Sequence, residues 1–291
     1  MENQIMSTIS LEKAQTFIWN NARLLERQLF SFLFNDGSRQ NVLRALVAYQ
    51  NSDGGFGNAL EPDKRTPSSQ PIDQEFSLRI LDDIGFDEEV AGQICDFLST
   101  ITTAEGGVPF VLPTVSDAPR APWWNTEDNP PASINPTASI AGLLNKHKVQ
   151  HPWLDQATEF CWQKIEALLS ASDNDLLSII LFLENAPDKD RATREFEPIG
   201  EIIKKQVALD PLAEGYVHKP LDWAPSPTSL CSGLFDASLM APHLEALAAK
   251  QQPDGGWPIS WPAISPASLL EYRGVVTIKA LKTLEAYDYL V

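Results

Sequence analysis

Acids and large aromatics crowd into the same non-helical stretches of this chain, and that pairing is where chemistry has to be sought. Glu61 and Asp63 stand two apart in Ala59-Leu60-Glu61-Pro62-Asp63, and Asp73 and Glu75 open the next helical stretch. Trp123-Trp124 lies in a Pro-flanked segment and Asp222-Trp223 in another, while Trp257, Trp261 and then Glu271-Tyr272-Arg273 complete the set. Two reaction types use such groups. A carboxylic acid walled by apolar and aromatic side chains is desolvated, holds its proton and serves as general acid, with aromatic faces supporting positive charge that develops in the substrate. Paired carboxylates beside tryptophan platforms suit a glycan instead, where one acid protonates the leaving oxygen and the other activates water or attacks. The expected catalytic groups are Glu61, Asp63 and Asp73. The expected substrate-binding groups are Trp123, Trp124, Trp223, Trp257, Trp261, Glu271 and Arg273.

Each of these residues also has a plain structural use. Glu61 and Asp63 could cap helices or pair with Lys64, Arg65 or Arg79. Asp73 and Glu75 sit in a first helical turn, where acids are favoured by the helix dipole alone. Glu271 and Arg273 could form an ion pair that orients the last helix. Neighbouring side chains on extended backbone alternate sides, so one of Trp123 and Trp124 should pack inward and the other face open space. The histidines at 147, 151, 218 and 243 form no metal or catalytic spacing, and only His218 lies near an acid–aromatic pair, Asp222-Trp223. Cys231, Asp236 and His243 match no zinc pattern, so no metal is expected. Serine-nucleophile, phosphate-loop and dinucleotide motifs are missing from the sequence, and no cofactor is expected.

The elements that must position these groups are helical. Val42, Leu43, Leu46 and Val47 fall on one stripe of a 3.6-residue period, as do Ile165, Leu168 and Leu169. Starts are marked by Gln70-Pro71, Asn135-Pro136, Asp87 before two glutamates, and Asp173 before Asp175. The periodicity predicts helices over 10–34, 38–51, 71–85, 87–103, 136–147, 152–170, 173–185, 190–208, 226–235, 239–252 and 268–288. Convincing period-2 alternation is missing, so the fold class is all-α. No low-complexity linker divides the 291 residues, which reads as one domain over 1–291.

Charge narrows the partners. Lys and Arg number 22 against 39 Asp and Glu, a net −17 that repels nucleic acid and anionic membranes. The longest apolar stretch, around Leu176 to Leu183, is under half of the roughly 20 residues that span a bilayer. Three dispersed cysteines, and a Met1-Glu2-Asn3-Gln4 start without basic and apolar leader regions, point to the cytoplasm. A small molecule is the expected partner; the oligomeric state is left open.

A repeat lies in the turns. Gln50-Asn51-Ser52-Asp53-Gly54-Gly55-Phe56, Ala104-Glu105-Gly106-Gly107-Val108 and Gln251-Gln252-Pro253-Asp254-Gly255-Gly256-Trp257 each close a predicted helix, with Glu214-Gly215-Tyr216 as a degenerate copy. About 50 residues separate Gly55 from Gly107, and about three times that separates Gly107 from Gly256, the spacing of a helix-pair repeat. The Gly-Gly pair supplies a left-handed corner, and the aromatic after it can plug the gap between hairpins.

Gln-x-x-Asp-Gly-Gly-aromatic after a helix resembles the prenyltransferase and squalene-cyclase repeat. Ala59 to Asp63, Ala121-Pro122-Trp123-Trp124, Asn135-Pro136-Thr137-Ala138 and Glu271-Tyr272-Arg273-Gly274 resemble small single-domain bacterial members of that terpenoid cyclase-like superfamily. The resemblance implies an α/α toroid of about six helical hairpins, inner and outer helix rings enclosing a central cavity for a small-molecule ligand. It does not bring an activity with it: the Asp-x-Asp-Asp acid motif of the cyclases and the Asp-x-Cys zinc pair of the protein prenyltransferases are both missing here. Three readings follow: an acid–base enzyme acting on an apolar or isoprenoid-like molecule, a carbohydrate-active enzyme, or a non-catalytic toroid that binds a ligand or partner. In a toroid, Glu61 or Asp63 should come within reach of Trp123 or Trp124.

Overall fold

The computed structural model describes residues 9–168 and 170–290; Leu169 and the first residues, read above for helical spacing and for a leader, lie outside them. Among the described residues there are twelve α-helices and no strand. They are α1 (Leu11–Asn21), α2 (Leu24–Phe34), α3 (Arg39–Val47), α4 (Pro71–Ile84), α5 (Glu88–Ile101), α6 (Ile134–Lys146), α7 (Pro152–Glu166), α8 (Asp173–Asn185), α9 (Lys189–Gln206), α10 (Pro220–Trp223), α11 (Ala237–Ala249) and α12 (Pro266–Ala286). None of them is long and apolar enough to cross a membrane.

The start signals act as the sequence suggests. Pro71 opens α4 after an extended Gln70, and the Asp87 carboxylate accepts from Val90 N at the head of α5. Asn135 stays extended, with helical backbone beginning at Pro136. Expected helices 38–51 and 152–170 stop short, at Val47 and Glu166, and two others differ in kind. The stretch 10–34 breaks at extended Ala22 and Arg23, because the Asn21 side chain turns back to the Phe17 carbonyl (3.0 Å) and competes with the next helical turn. The stretch 226–235 forms only a 3₁₀ turn, Leu230–Leu234, since the Ser229 hydroxyl takes the Ser226 N–H (3.1 Å) and folds a local turn instead.

The chain divides into two compact units, 39–201 and 1–38 with 202–291. In the first, α6 lies between α4 and α8, and α5 and α7 pack on each other and on that row. Nearly all of α6 from Pro136 to Leu144 is buried, as a helix with neighbours on several sides requires. In the second, α12 packs against α1, α2 and α11, and α10 rests on α11.

The three Gly-Gly turns share one bond pattern. Asn51 N donates to Gly55 O (2.8 Å), Thr103 N to Gly107 O (2.9 Å) and Gln252 N to Gly256 O (2.9 Å). The first glycines, at φ +84°, +97° and +94°, take the left-handed corner where a side chain is strained. A Cβ on the second glycine would fall 2.7, 2.6 or 2.8 Å from the rings of Phe97 on α5, Phe160 on α7 and Phe17 on α1. The next residue, Phe56, Val108 or Trp257, is buried. Its N–H donates to Gln74 Oε1 on α4 (3.0 Å), Thr137 Oγ1 on α6 (3.1 Å) or Thr277 Oγ1 on α12 (2.9 Å). For the third turn α1 therefore does what α5 and α7 do for the others. Gln251 fixes it there, accepting from Ser10 N (2.9 Å) and donating to Ser10 O (2.8 Å). Gly215 also has a positive φ, +86°, but no second glycine follows it and nothing lies within 4 Å of where its Cβ would stand, so its turn does not repeat the pattern.

Candidate functional site

Five of the ten expected site residues fall in the 39–201 unit. Glu61, Asp63 and Asp73 are fully buried there, together with Lys64. Asp73 Oδ1 accepts from Glu61 N (2.8 Å), its Oδ2 takes the Lys64 ammonium, and Glu61 Oε2 accepts from Asp63 N (3.1 Å). These acids thus brace the loop between the first Gly-Gly turn and α4, whose Asn58 and Ala59 sit at φ +55° and +60°. Glu75 pairs with Arg79 one helical turn on (2.7 Å).

The loop is stitched to the segment that leads into the tryptophan pair. Arg65 N donates to Pro119 O (2.9 Å) and Ala121 N to Asp63 O (2.8 Å), an antiparallel contact three residues ahead of Trp124. Trp124 packs inward, stacked on Phe110 with ring centroids 5.0 Å apart. Trp123 points outward and is 43% exposed, so the pair splits as neighbours in an open turn should. The acid loop and the tryptophan segment emerge side by side, although it is their backbones that touch.

The other five lie in the 1–38 and 202–291 unit. Trp257 plugs its turn and donates from Nε1 to Leu247 O (2.8 Å). Arg273 finds an ion-pair partner in Asp254, with two bonds of 2.8 and 2.7 Å. It also donates to Trp257 O (3.2 Å) and lies over the Phe17 ring at 4.3 Å, so it clamps α12 to the turn. The Asp254 carboxyl is held below its ordinary value, first by the hydrogen bond from Arg273.

Trp261, Trp223 and the flanking aromatics form a continuous run. Tyr272 on α12, one residue after Glu271, meets Trp261 edge-on at 4.9 Å and 90°. Trp261 meets Tyr216 at 6.0 Å and 83°; Tyr216 meets His218 at 5.3 Å, and His218 lies 5.8 Å from Trp223. The run grades from Tyr216, 57% exposed, to Trp223, 2% exposed. Beside its buried end, burial alone would raise the Asp222 carboxyl, but the Lys279 charge and the Lys219 N–H (3.0 Å) outweigh it and hold Asp222 below the usual carboxylate value. Asp222 is therefore an anion at neutral pH.

Sequence reasoning offered Lys64 to Glu61 and Asp63 and not to Asp73, and it gave no bonding role to Gln74, Thr137 and Thr277, or to Gln70, which accepts from Leu112 N (2.8 Å). Polar residues on a helical stripe look like surface until the turn they cap is known. His243, named with Cys231 and Asp236, lies with Nε2 3.1 Å from Leu209 O, burial pushing its pKa down, while Asp236 caps α11. Among the described residues no cluster of His, Cys, Asp and Glu is placed to hold a metal ion. Comparison with known proteins adds no relative: no protein family matches the chain, and no curated protein is significantly similar to it.

Proposed function

We propose that this chain is a terpenoid cyclase-like helical-hairpin protein of the α/α toroid class that takes an apolar or amphipathic small molecule against the aromatic run of Tyr272, Trp261, Tyr216, His218 and Trp223. The observation that carries the ligand site is that run, with ring-to-ring contacts of 4.9 to 6.0 Å reaching from an exposed tyrosine to a buried tryptophan beside a charged Asp222. The toroid reading is supported by the shared turn pattern and by α1 serving the last turn, as expected where a series of hairpins closes on itself. On this reading His218 is the acid–base group and Asp222 its fixed counter-charge. Glu61 and Asp73 are assigned to bracing a loop, since the Asp73 carboxylate is spent on Lys64 and the Glu61 N–H and the Glu61 carboxylate on the Asp63 N–H, while Asp63 joins the same loop through its backbone. That assignment weakens the carbohydrate reading, which needs two acids open to a sugar. Buried thiols at Cys95 and Cys161 fit a reducing compartment such as the cytoplasm.

The test is a tryptophan-fluorescence titration with small terpenoid alcohols and ketones, naphthalene derivatives and oligosaccharides. Saturable quenching by the apolar compounds, lost in Trp261→Ala and kept in Trp123→Ala, is expected. Saturation by the sugars alone, or apolar binding unaffected by Trp261→Ala, would overturn the reading.

A further inference from the structure

The indole N–H groups of four buried tryptophans fall into two kinds. Trp153 and Trp257 are buried and satisfied: Trp153 Nε1 donates to Thr102 Oγ1 and Trp257 Nε1 to Leu247 O, both at 2.8 Å. Trp124 and Trp223 are equally buried, and yet the indole N–H of each meets no acceptor. A buried donor without an acceptor costs about as much as a lost hydrogen bond, and native proteins rarely leave one without a use. Both tryptophans sit in short turns that begin with a proline, Pro122–Trp124 and Pro220–Trp223. Trp124, however, is enclosed by the Phe110 stack, whereas Trp223 ends an aromatic run whose other end is open to solvent.

We infer that Trp223 Nε1 is the polar contact of the ligand site, held to receive one acceptor oxygen from a molecule whose apolar body lies along Tyr216 and Trp261. This rests on the aromatic run being the ligand site. The charge around Trp223 selects the oxygen. Asp222, the preceding residue, is an anion already paired with Lys279 (3.2 Å), so a carboxylate or phosphate arriving there meets like charge. A neutral carbonyl, ether or hydroxyl oxygen meets no such repulsion. The ligand class is therefore an uncharged apolar molecule bearing one oxygen acceptor, which binds oxygen-first with its hydrocarbon toward the exposed end.

The experiment uses a matched pair of probes, acetophenone and α-methylstyrene, which differ in a C=O exchanged for C=CH₂. The whole chain is labelled with ¹⁵N at the indole nitrogens, and the Trp223 resonance is assigned by its loss in Trp223→Phe. The ketone is expected to bind about three- to tenfold more tightly, the range of one net hydrogen bond, and to move the Trp223 N–H downfield while α-methylstyrene does not. In Trp223→Phe, which keeps a ring in place, the two probes should bind alike. The wild-type probe comparison stands by itself if that variant does not fold. Equal binding of both probes with no movement of the Trp223 resonance overturns the inference while leaving the aromatic site intact. An unchanged Trp223 resonance already at a hydrogen-bonded position and exchanging with water shows the donor to be served by solvent, and overturns it too. Binding of neither probe removes the aromatic site and this inference together.

Discussion

Asp73 offers the sharpest test of how the 39–201 unit is built. Its two carboxylate oxygens serve two masters, the Glu61 N–H at 2.8 Å and the fully buried Lys64 ammonium. Asp73→Ala strands both. Removing one partner of a buried ion pair costs about 3–5 kcal/mol, because the remaining charge stays buried without compensation. An orphaned buried N–H adds about 1–3 kcal/mol. A loss of about 4–8 kcal/mol is comparable to the whole stability of an ordinary domain, so the unit should be largely unfolded at room temperature. Asp73→Asn keeps an oxygen for Glu61 N–H and should lose only the ionic part, as should Lys64→Met. The double variant Lys64→Met/Asp73→Asn leaves neither charge behind, and should recover about 2 kcal/mol or more relative to the sum of the single losses. Urea unfolding followed by circular dichroism gives all four values for the cycle. Single variants within about 1 kcal/mol of the wild type, or losses additive to about 0.5 kcal/mol, would refute the view that this pair holds the loop.

Two further outcomes follow from the turns. Gly55→Ala forces a methyl to within 2.8 Å of Phe97 and Ser69 and should cost about 1–3 kcal/mol, whereas Gly92→Ala on α5, with nothing within 4 Å, should stabilise by about 0.5–1 kcal/mol; thermal melts of the two variants check the contrast. The Asp254 carboxyl is depressed below its unfolded value of 3.8 by Arg273, so the stability this pair contributes is complete above that value and is lost as the pH falls through the folded one. Arg273→Gln should therefore flatten the dependence of the urea midpoint on pH between about 2 and 5, and an unchanged slope would count against the clamp.

The helical character, the caps at Asp87, Gln70-Pro71 and Asn135-Pro136, and the three turns were legible because each depends on a few neighbouring residues. Gly-Gly after a helix has one cheap backbone solution, and Phe56 and Trp257 plug the turns as their size suggests. Trp124 turns inward and Trp123 outward as expected, though on a 3₁₀ turn, where successive side chains lie about 120° apart, and not on extended backbone. What was hidden is long-range. Asp73 looks like an ordinary first-turn acid until Lys64 is known to be buried against it, and nothing local joins Arg273 to Asp254, 19 residues before it. The aromatic run joins Tyr216, Trp261 and Tyr272, residues spread over more than one loop and a helix, and no period in the sequence links them.

The bond between Ser10 and Gln251 has a consequence for how the polypeptide is made. Residues 39–201 are contiguous, and a nascent chain can assemble that body while still on the ribosome. The other body cannot be completed so early. Its first helix leaves the exit tunnel with an exposed Phe17 face and must wait for Gly256, 239 residues downstream, to be synthesised. Until then that apolar stripe is available to chaperones, and closing so long a loop makes the final docking a late, slow event.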